Sequence, residues 1–455
     1  MSAFSRRNLL CMGSATGVGL GLRSALTGLP VSFLLRGEAH ADAVQPRVAI
    51  LASSSEGEPI NVCGPGTYEQ ATADSFTHPD PNRIELEEVN KQDVNGVVLG
   101  VESLSQAAEI TLGVDRIRMA ACFAALPSEM LRHLVWFNYR SGANIHPQYK
   151  DVLSCFGQVR GGDGRGDEQL PAAIAQELSG LLGTTTAAPL ILGTGAFTSS
   201  GSSLANYSPM KLKTLTESVG QAIGGADNFA AMYDTFIDEA YRDVLRDGTA
   251  QQKRFFDQHA ASRREATEFG SALGTLLAGI EDDSIKSQME TAAIVAKLRL
   301  APVVVINTDF GGDNHQDAGL LAETNQTLAM IDALNEYWTV IEDYGVKDDV
   351  FFANLDVFGR DPSSDGNGRS HYGDFVSGLI VGTHLQGGVV GGWQLNGKVQ
   401  ATGINATTGS PLGATIAPED TLAAYYRTLL QAAGVSPDRQ EVRLPTGTPV
   451  SSVMG

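Results

Sequence analysis

Two apolar strands that each run into a glycine-rich loop loaded with Asp and His constrain this chain most. VVVINT (303–308) leads straight into DFGGDNHQ (309–316), and FFANLDVF (351–358) leads into GRDPSSDGNGRSHYG (359–373). Residues just beyond the carboxyl ends of strands in open α/β sheets converge on the ligand crevice. Asp, His and Asn placed there are the inventory of a metal or anion site. Between the two strands, LLAETNQTLAMIDALNEYWTVIEDYG (320–345) has helical spacing and a glycine stop. A strand–helix–strand unit of this kind predicts two parallel neighbours.

The rest of the chain continues the pattern. RVAILA (47–52) is a buried strand leading into the polar loop SSSEGEPIN (53–61), and HLVWFNY (133–139) is another, leading into RSGANIHPQ (140–148). VVLGV (97–101) and the Ile110–Phe123 stretch read as further α/β alternation. QLPAAIAQELSGLLG (169–183) is a helix with a Gly stop, and PLILGTG (189–195) a short strand. After a Ser-rich break at 196–209, apolar residues recur at three and four with charges between them, a helical insertion over 211–298. GLIVG (378–382) and GGVVGGW (387–393) are Gly-flanked apolar runs. PEDTLAAYYRTLLQAAG (418–434) is the last helix, and the tail from Val435 reads as loop. The expected fold is therefore α/β, a mostly parallel sheet sandwiched by helices. Its α/β domain is divided into 42–210 and 299–434 around the insertion, and 435–455 forms a tail.

Asp and Glu outnumber Lys and Arg by 52 to 32 in 455 residues, which excludes the basic footprint of a general nucleic-acid binder. Residues 1–41 have the layout of a twin-arginine export signal. Arg6 and Arg7 are paired in SRRNLL (5–10), a mildly apolar stretch follows, and AHA (39–41) supplies small residues for cleavage. Arg23, Pro30 and Arg36 break the apolar run, so no permanent transmembrane anchor is expected. The implied location is the periplasm or the medium. Beyond residue 41 three cysteines are left, Cys63, Cys122 and Cys155, without metal-finger spacing, and they read as core packing.

Asp313 and His315 lie two apart in a loop whose Gly311 and Gly312 permit a tight turn, so both side chains can reach one ion. His371 lies in the second loop and is a candidate third ligand or an acid/base group. Arg360 is a candidate oxyanion clamp, with pairing to Asp361 or Asp356 as the alternative. Asp361 and Asp365, beside Pro362 and Gly366, read first as turn formers. His146 reads first as the opening of a helical turn with Pro147, and second as a visitor to the crevice. A hydroxyl from Ser53–Ser55 would be the nucleophile if a metal activated it.

These motifs occur in an order that resembles bacterial exported proteins carrying the domain of unknown function 1501, which are similar to the alkaline phosphatase and sulfatase superfamily. Asp313-Asn314-His315 matches that family's Asp-Thr-His, and Phe358-Gly359-Arg360 matches its Glu-Phe-Gly-Arg with Val357 in place of Glu. Asn367-Gly368 and the Gly387–Gly392 segment match two further motifs, and PEDTLAAYYRTLL (418–430) resembles its closing helix. The chain departs at Ser370-His371, where the family has Asp-His, and at Ser55-Glu56-Gly57-Glu58, where it has Gly-Gly-x-Asp. The resemblance implies an alkaline-phosphatase-like fold and metal-assisted hydrolysis of a phosphate or sulfate ester, on a small molecule or a glycan. A divalent metal ion would be the cofactor, with Asp313, His315 and His371 as ligands and His371 and Arg360 in catalysis. The competing reading is a non-enzymatic envelope or secreted binding protein that keeps the scaffold.

Overall fold

The structure is a computed structural model that describes residues 45–69, 76–84, 92–154, 168–193, 197–199, 202–224, 246, 249, 272–308 and 310–455. The export signal expected over 1–41, Cys155, Asp309 and most of the charged helical stretch 229–271 lie outside the described residues.

Eight strands form the main sheet: β1 (Val48–Ser54), β2 (Leu134–Tyr139), β3 (Leu190–Leu192), β4 (Asn206–Tyr207), β5 (Val303–Asn307), β6 (Val350–Asp356), β7 (Val376–Val381) and β8 (Gly388–Val390). Their order is β4-β3-β5-β1-β6-β7-β2-β8. All pairings are parallel except those of β7, which runs against both β6 and β2. Every residue of β1, β2, β6 and β7 is buried. Strands covered on both faces read as unbroken apolar runs, which is why these were legible in the sequence. Alternate residues of β2 show the two coverings, since side chains alternate across a strand. Tyr139 stacks on Tyr425 and Phe137 packs tilted against the same ring, whereas Trp136 meets Phe123 edge-on.

Helices α1 (Leu170–Leu182), α2 (Pro209–Gly224), α3 (Ile285–Lys297), α4 (Leu321–Asp343), α5 (Thr421–Ala432) and α6 (Pro437–Arg443) follow in chain order. α1 and α4 end before Gly183 and Gly345, both at positive φ, as the glycine stops predict. α3 buries Met289, Ala292, Ala293 and Val295 in the main core and packs on β5 and α4. It therefore belongs to the sheet's helical layer, although the expected insertion (211–298) included it. Among the described residues no helix is long and apolar enough to cross a membrane.

Three expectations need correction. β5 and β6 are parallel but not neighbours, because β1 lies between them and pairs with both. The Ile110–Phe123 stretch contributes no α/β unit. Ala107–Leu112 and Asp115–Ala120 form a separate antiparallel hairpin, with Glu109, Thr111, Arg116 and Arg118 on its exposed positions. Val97–Leu99 likewise pairs with Gln92–Val94, outside the main sheet. Finally, the tail is not all loop, because α6 starts at Pro437 and its Arg443 pairs with Glu168 and Glu177.

Two histidines are held in the fold as neutral rings. His78 stacks on Tyr68 and donates from Nε2 to the Thr67 carbonyl at 3.1 Å; His384 donates from Nε2 to the Ala432 carbonyl at 3.0 Å. Burial pushes both down from 6.5 to about 4. In the unfolded chain each ring takes up its proton near pH 6.5, so stability is complete above that value and falls until about pH 4. The upper limit is about 1.4 kcal/mol per pH unit for each ring. The urea midpoint should therefore decline across this window, and in the His78→Gln/His384→Gln variant the decline should flatten.

Candidate metal centre

The register of the sheet brings the functional loops together. Ser53 of β1 is level with Asn307 of β5 and Leu355 of β6, and Ser54 is level with Asp356. The three strands thus end at one edge, where their exit loops share a space. β2 runs in the same direction, two strands beyond β6, and its exit loop joins them: Ser141 N–H donates to the Gly373 carbonyl at 2.9 Å. The loop after β6 doubles back on itself, since Gly359–Arg360 pairs antiparallel with His371–Tyr372.

A buried ion pair locks two of these loops. Arg369 and Glu323, 0% and 1% exposed, meet through Nε–Oε2 at 2.7 Å and Nη2–Oε1 at 3.1 Å. The Arg369 backbone N–H donates to the Asn314 carbonyl at 3.0 Å, and the Asn314 side chain donates to Glu323. Gly368 sits at φ +135°, where a Cβ would lie 2.0 Å from the Asn314 carbonyl oxygen. Only glycine permits that approach and that backbone.

Above this lock four side chains converge. One ligand atom from each of His146, Asp313, His315 and His371 lies within 4.8 Å of the others. All three imidazoles point Nδ1 at an acceptor: His146 at the Ser55 carbonyl (2.6 Å), His315 at Asp313 Oδ1 (2.5 Å) and His371 at the Asn144 carbonyl (2.9 Å). A carbonyl or carboxylate can only accept, so in the neutral rings Nδ1 carries the proton and Nε2 carries the lone pair. For His146 and His371 this leaves Nε2 toward the cluster, as metal-ligating histidines are typically fixed, whereas the His315–Asp313 bond joins two members of the cluster and must open for both to bind one ion. His146 Nε2 is buried without a hydrogen-bond partner, 3.6 Å from Asp313 Oδ2. A tetrahedral ion with bonds of about 2.0–2.1 Å sets donors about 3.4 Å apart, so this pair fits and the widest pair closes by side-chain contraction. Phe358 backs the cluster, stacked on His371 at 4.4 Å and edge-on to His146 at 5.2 Å.

Protonation in the cluster is compatible with a cation. Burial alone would raise the Asp313 carboxyl, but hydrogen bonds from His315 and Arg360 outweigh it and hold it below the usual carboxylate range. His371 is pushed below the ordinary imidazole value, first by burial and then by Arg360 and His146, against the Asn144 carbonyl. Both groups are therefore in their metal-binding forms at neutral pH.

The structure thus brings together Asp313, His315 and His371, and adds His146, for which the helical-turn reading had been preferred. His146 does open a 3-10 turn, His146–Gln148, with Pro147 inside it, but the same turn aims its ring into the cluster. Its position after a buried strand was the available signal.

Arg360 is not set as an oxyanion clamp. It is fully buried, and its nitrogens already serve Gly57 O (2.6 Å), Arg369 O (3.2 Å), Glu56 O and Asp313 Oδ1 (2.7 Å). It positions Asp313 instead.

Ser53 and Ser54 belong to β1 and are buried, and Ser53 Oγ pairs with the Tyr149 hydroxyl. Ser55 Oγ donates to Glu56 Oε1 at 3.4 Å. Glu58 accepts from Gly312 N–H at 2.9 Å and shapes the turn before Asp313. Asp361 and Asp365 accept from Ser363 and Asn367 N–H groups, the turn role expected of them. Asp356 is buried beside Asn354, with its carboxyl pushed well up by burial and by Glu58. Cys63 and Cys122 are free, buried core thiols that burial pushes upward.

No protein-family model matches this sequence, and no curated protein matches it.

Proposed function

We propose that this chain is an exported, metal-dependent hydrolase of phosphate or sulfate esters, related to the domain of unknown function 1501 proteins and the alkaline phosphatase and sulfatase superfamily. The observation that carries the reading is the convergence of three imidazoles on Asp313, two of them tied back through Nδ1 to backbone carbonyls, at the carboxyl edge of a mostly parallel sheet. Asp313, His315 and His371 hold the ion. When bound, a divalent cation supplies Lewis-acid polarisation of an ester oxygen and activation of water. Phe358 limits water on one side of the cluster, and Arg360 keeps Asp313 ionised and aimed. Burial of Ser53 and Ser54, with the Ser55 hydroxyl turned to Glu56, favours water over a serine as the nucleophile. Small-molecule and glycan esters are the substrate class.

A non-enzymatic exported metal-binding protein is the second reading. It is favoured by the commitment of Arg360 to protein acceptors, which leaves the site without the expected anion clamp. Turnover of aryl phosphates and aryl sulfates by metal-loaded protein separates the two. The hydrolase reading expects one ester class to be cleaved and cleavage to vanish in Asp313→Ala/His315→Ala. Full metal occupancy with neither ester cleaved would establish the second reading.

A further inference from the structure

We infer that His146 is the fourth donor of the centre and that the resulting donor set takes a zinc-class dication and discriminates against magnesium and calcium. The inference rests on the metal centre of the reading above and not on its ester chemistry.

Three donors are imidazole nitrogens and one is a carboxylate oxygen. Imidazole suits zinc, cobalt, nickel and copper, whereas magnesium and calcium require shells built mainly of oxygen. The one carboxylate is also restricted. Asp313 Oδ1 already accepts from the buried Arg360 Nη2 at 2.7 Å, and Oδ2 is the oxygen 3.6 Å from His146 Nε2. That weighs against the bidentate clamp by which carboxylates commonly hold calcium. His146 Nε2 lies 3.6 Å from Asp313 Oδ2, buried and without a hydrogen-bond partner. A lone pair left unpaired in the fold costs free energy, which a soft enough cation at that point recovers. The ring is held there by its Nδ1–H bond to Ser55 O and by Phe358, independently of any ion.

The test uses the full chain stripped with chelator and titrated separately with Zn²⁺, Co²⁺, Mg²⁺ and Ca²⁺ by calorimetry, with the visible spectrum of the Co²⁺ form recorded. The expected result is stoichiometric Zn²⁺ and Co²⁺ binding, an intense four-coordinate Co²⁺ spectrum, and no heat from Mg²⁺ or Ca²⁺ at millimolar concentration. In His146→Ala, Zn²⁺ affinity should fall by more than about 10-fold, the scale set by outer-shell losses, and the Co²⁺ band should weaken. The thermal midpoint of the stripped variant, compared with stripped wild type, reports whether its fold is intact. Wild-type Zn²⁺ affinity in His146→Ala, or Ca²⁺ binding as tight as Zn²⁺, would overturn the inference. Zinc binding as described without ester turnover would sink the hydrolase reading alone; absence of any binding by wild type would sink both.

Discussion

Asp313→Asn is expected to lower metal affinity by more than about 100-fold while leaving the stripped protein folded, an effect larger than the 10–100-fold typical of losing a supporting group around a metal. Asp313 supplies the only carboxylate among the four converging side chains, and its charge offsets both Arg360 and the incoming cation. The amide keeps the size of the side chain and can still face Arg360 through its oxygen, so the change removes charge with little loss of packing. Asp313→Ala is the harsher variant, because it removes the carboxylate paired with the buried Arg360, and breaking a buried pair in this way is strongly destabilising. Arg360→Met probes the same carboxylate from behind. It takes no donor from the ion, yet it leaves Asp313 Oδ1 with His315 alone and strips a partner from the Glu56, Gly57 and Arg369 carbonyls. Affinity should fall about 10–100-fold, as for other supporting groups. Calorimetric titration of the three proteins checks the ordering. Equal affinity in wild type and Asp313→Asn would remove Asp313 from the centre.

The β5 and β6 strands and their loops were legible because a strand covered on both faces must be apolar throughout, and a polar Gly-rich run after it has nowhere to go but the sheet edge. Neighbour relations were not legible. β1 pairs with β5 and β6, both about 250 residues or more away along the chain, and no local pattern records that choice. The hairpin at 107–120 was misread although its signal was present. Its buried and exposed residues alternate with period two around a Gly113-Val114 turn, and the apolar end at Met119–Phe123 obscured that rhythm. At the site, Asp313, His315 and His371 do converge, whereas the directions of Arg360 and His146 were not legible. Arg360 carries the charge of a clamp, but acceptors from the loop after β1 consume it. For His146 the turn chemistry was visible locally, whereas the ring's destination depends on β2 ending at the same edge as β1, β5 and β6.

Glu323→Ala is expected to cost about 3–5 kcal/mol of folding stability, the scale for removing one partner of a buried ion pair. Glu323 sits in the first turn of α4, where a carboxylate is favoured by the helix dipole, and both its oxygens are engaged. Oε2 accepts from Arg369 Nε and the Asn314 amide, and Oε1 accepts from Arg369 Nη2. The alanine variant leaves the Arg369 guanidinium with only carbonyl partners, Thr77, Asp361 and Pro362, in a site closed to water. Replacing both members, Glu323→Leu with Arg369→Met, should recover much of that loss, because no buried charge is then left unpaired. Metal affinity should not recover with it. The pair also fixes the distance between the Asp313-His315 loop and the His371 loop, through Asn314 on one side and the Arg369 backbone on the other. Urea unfolding of the single and double variants, read beside zinc titrations of the same proteins, separates the two contributions. A double variant with wild-type affinity would mean that the Gly368–Asn314 contact and the Arg369 N–H bond to the Asn314 carbonyl hold the loops in register without the ion pair.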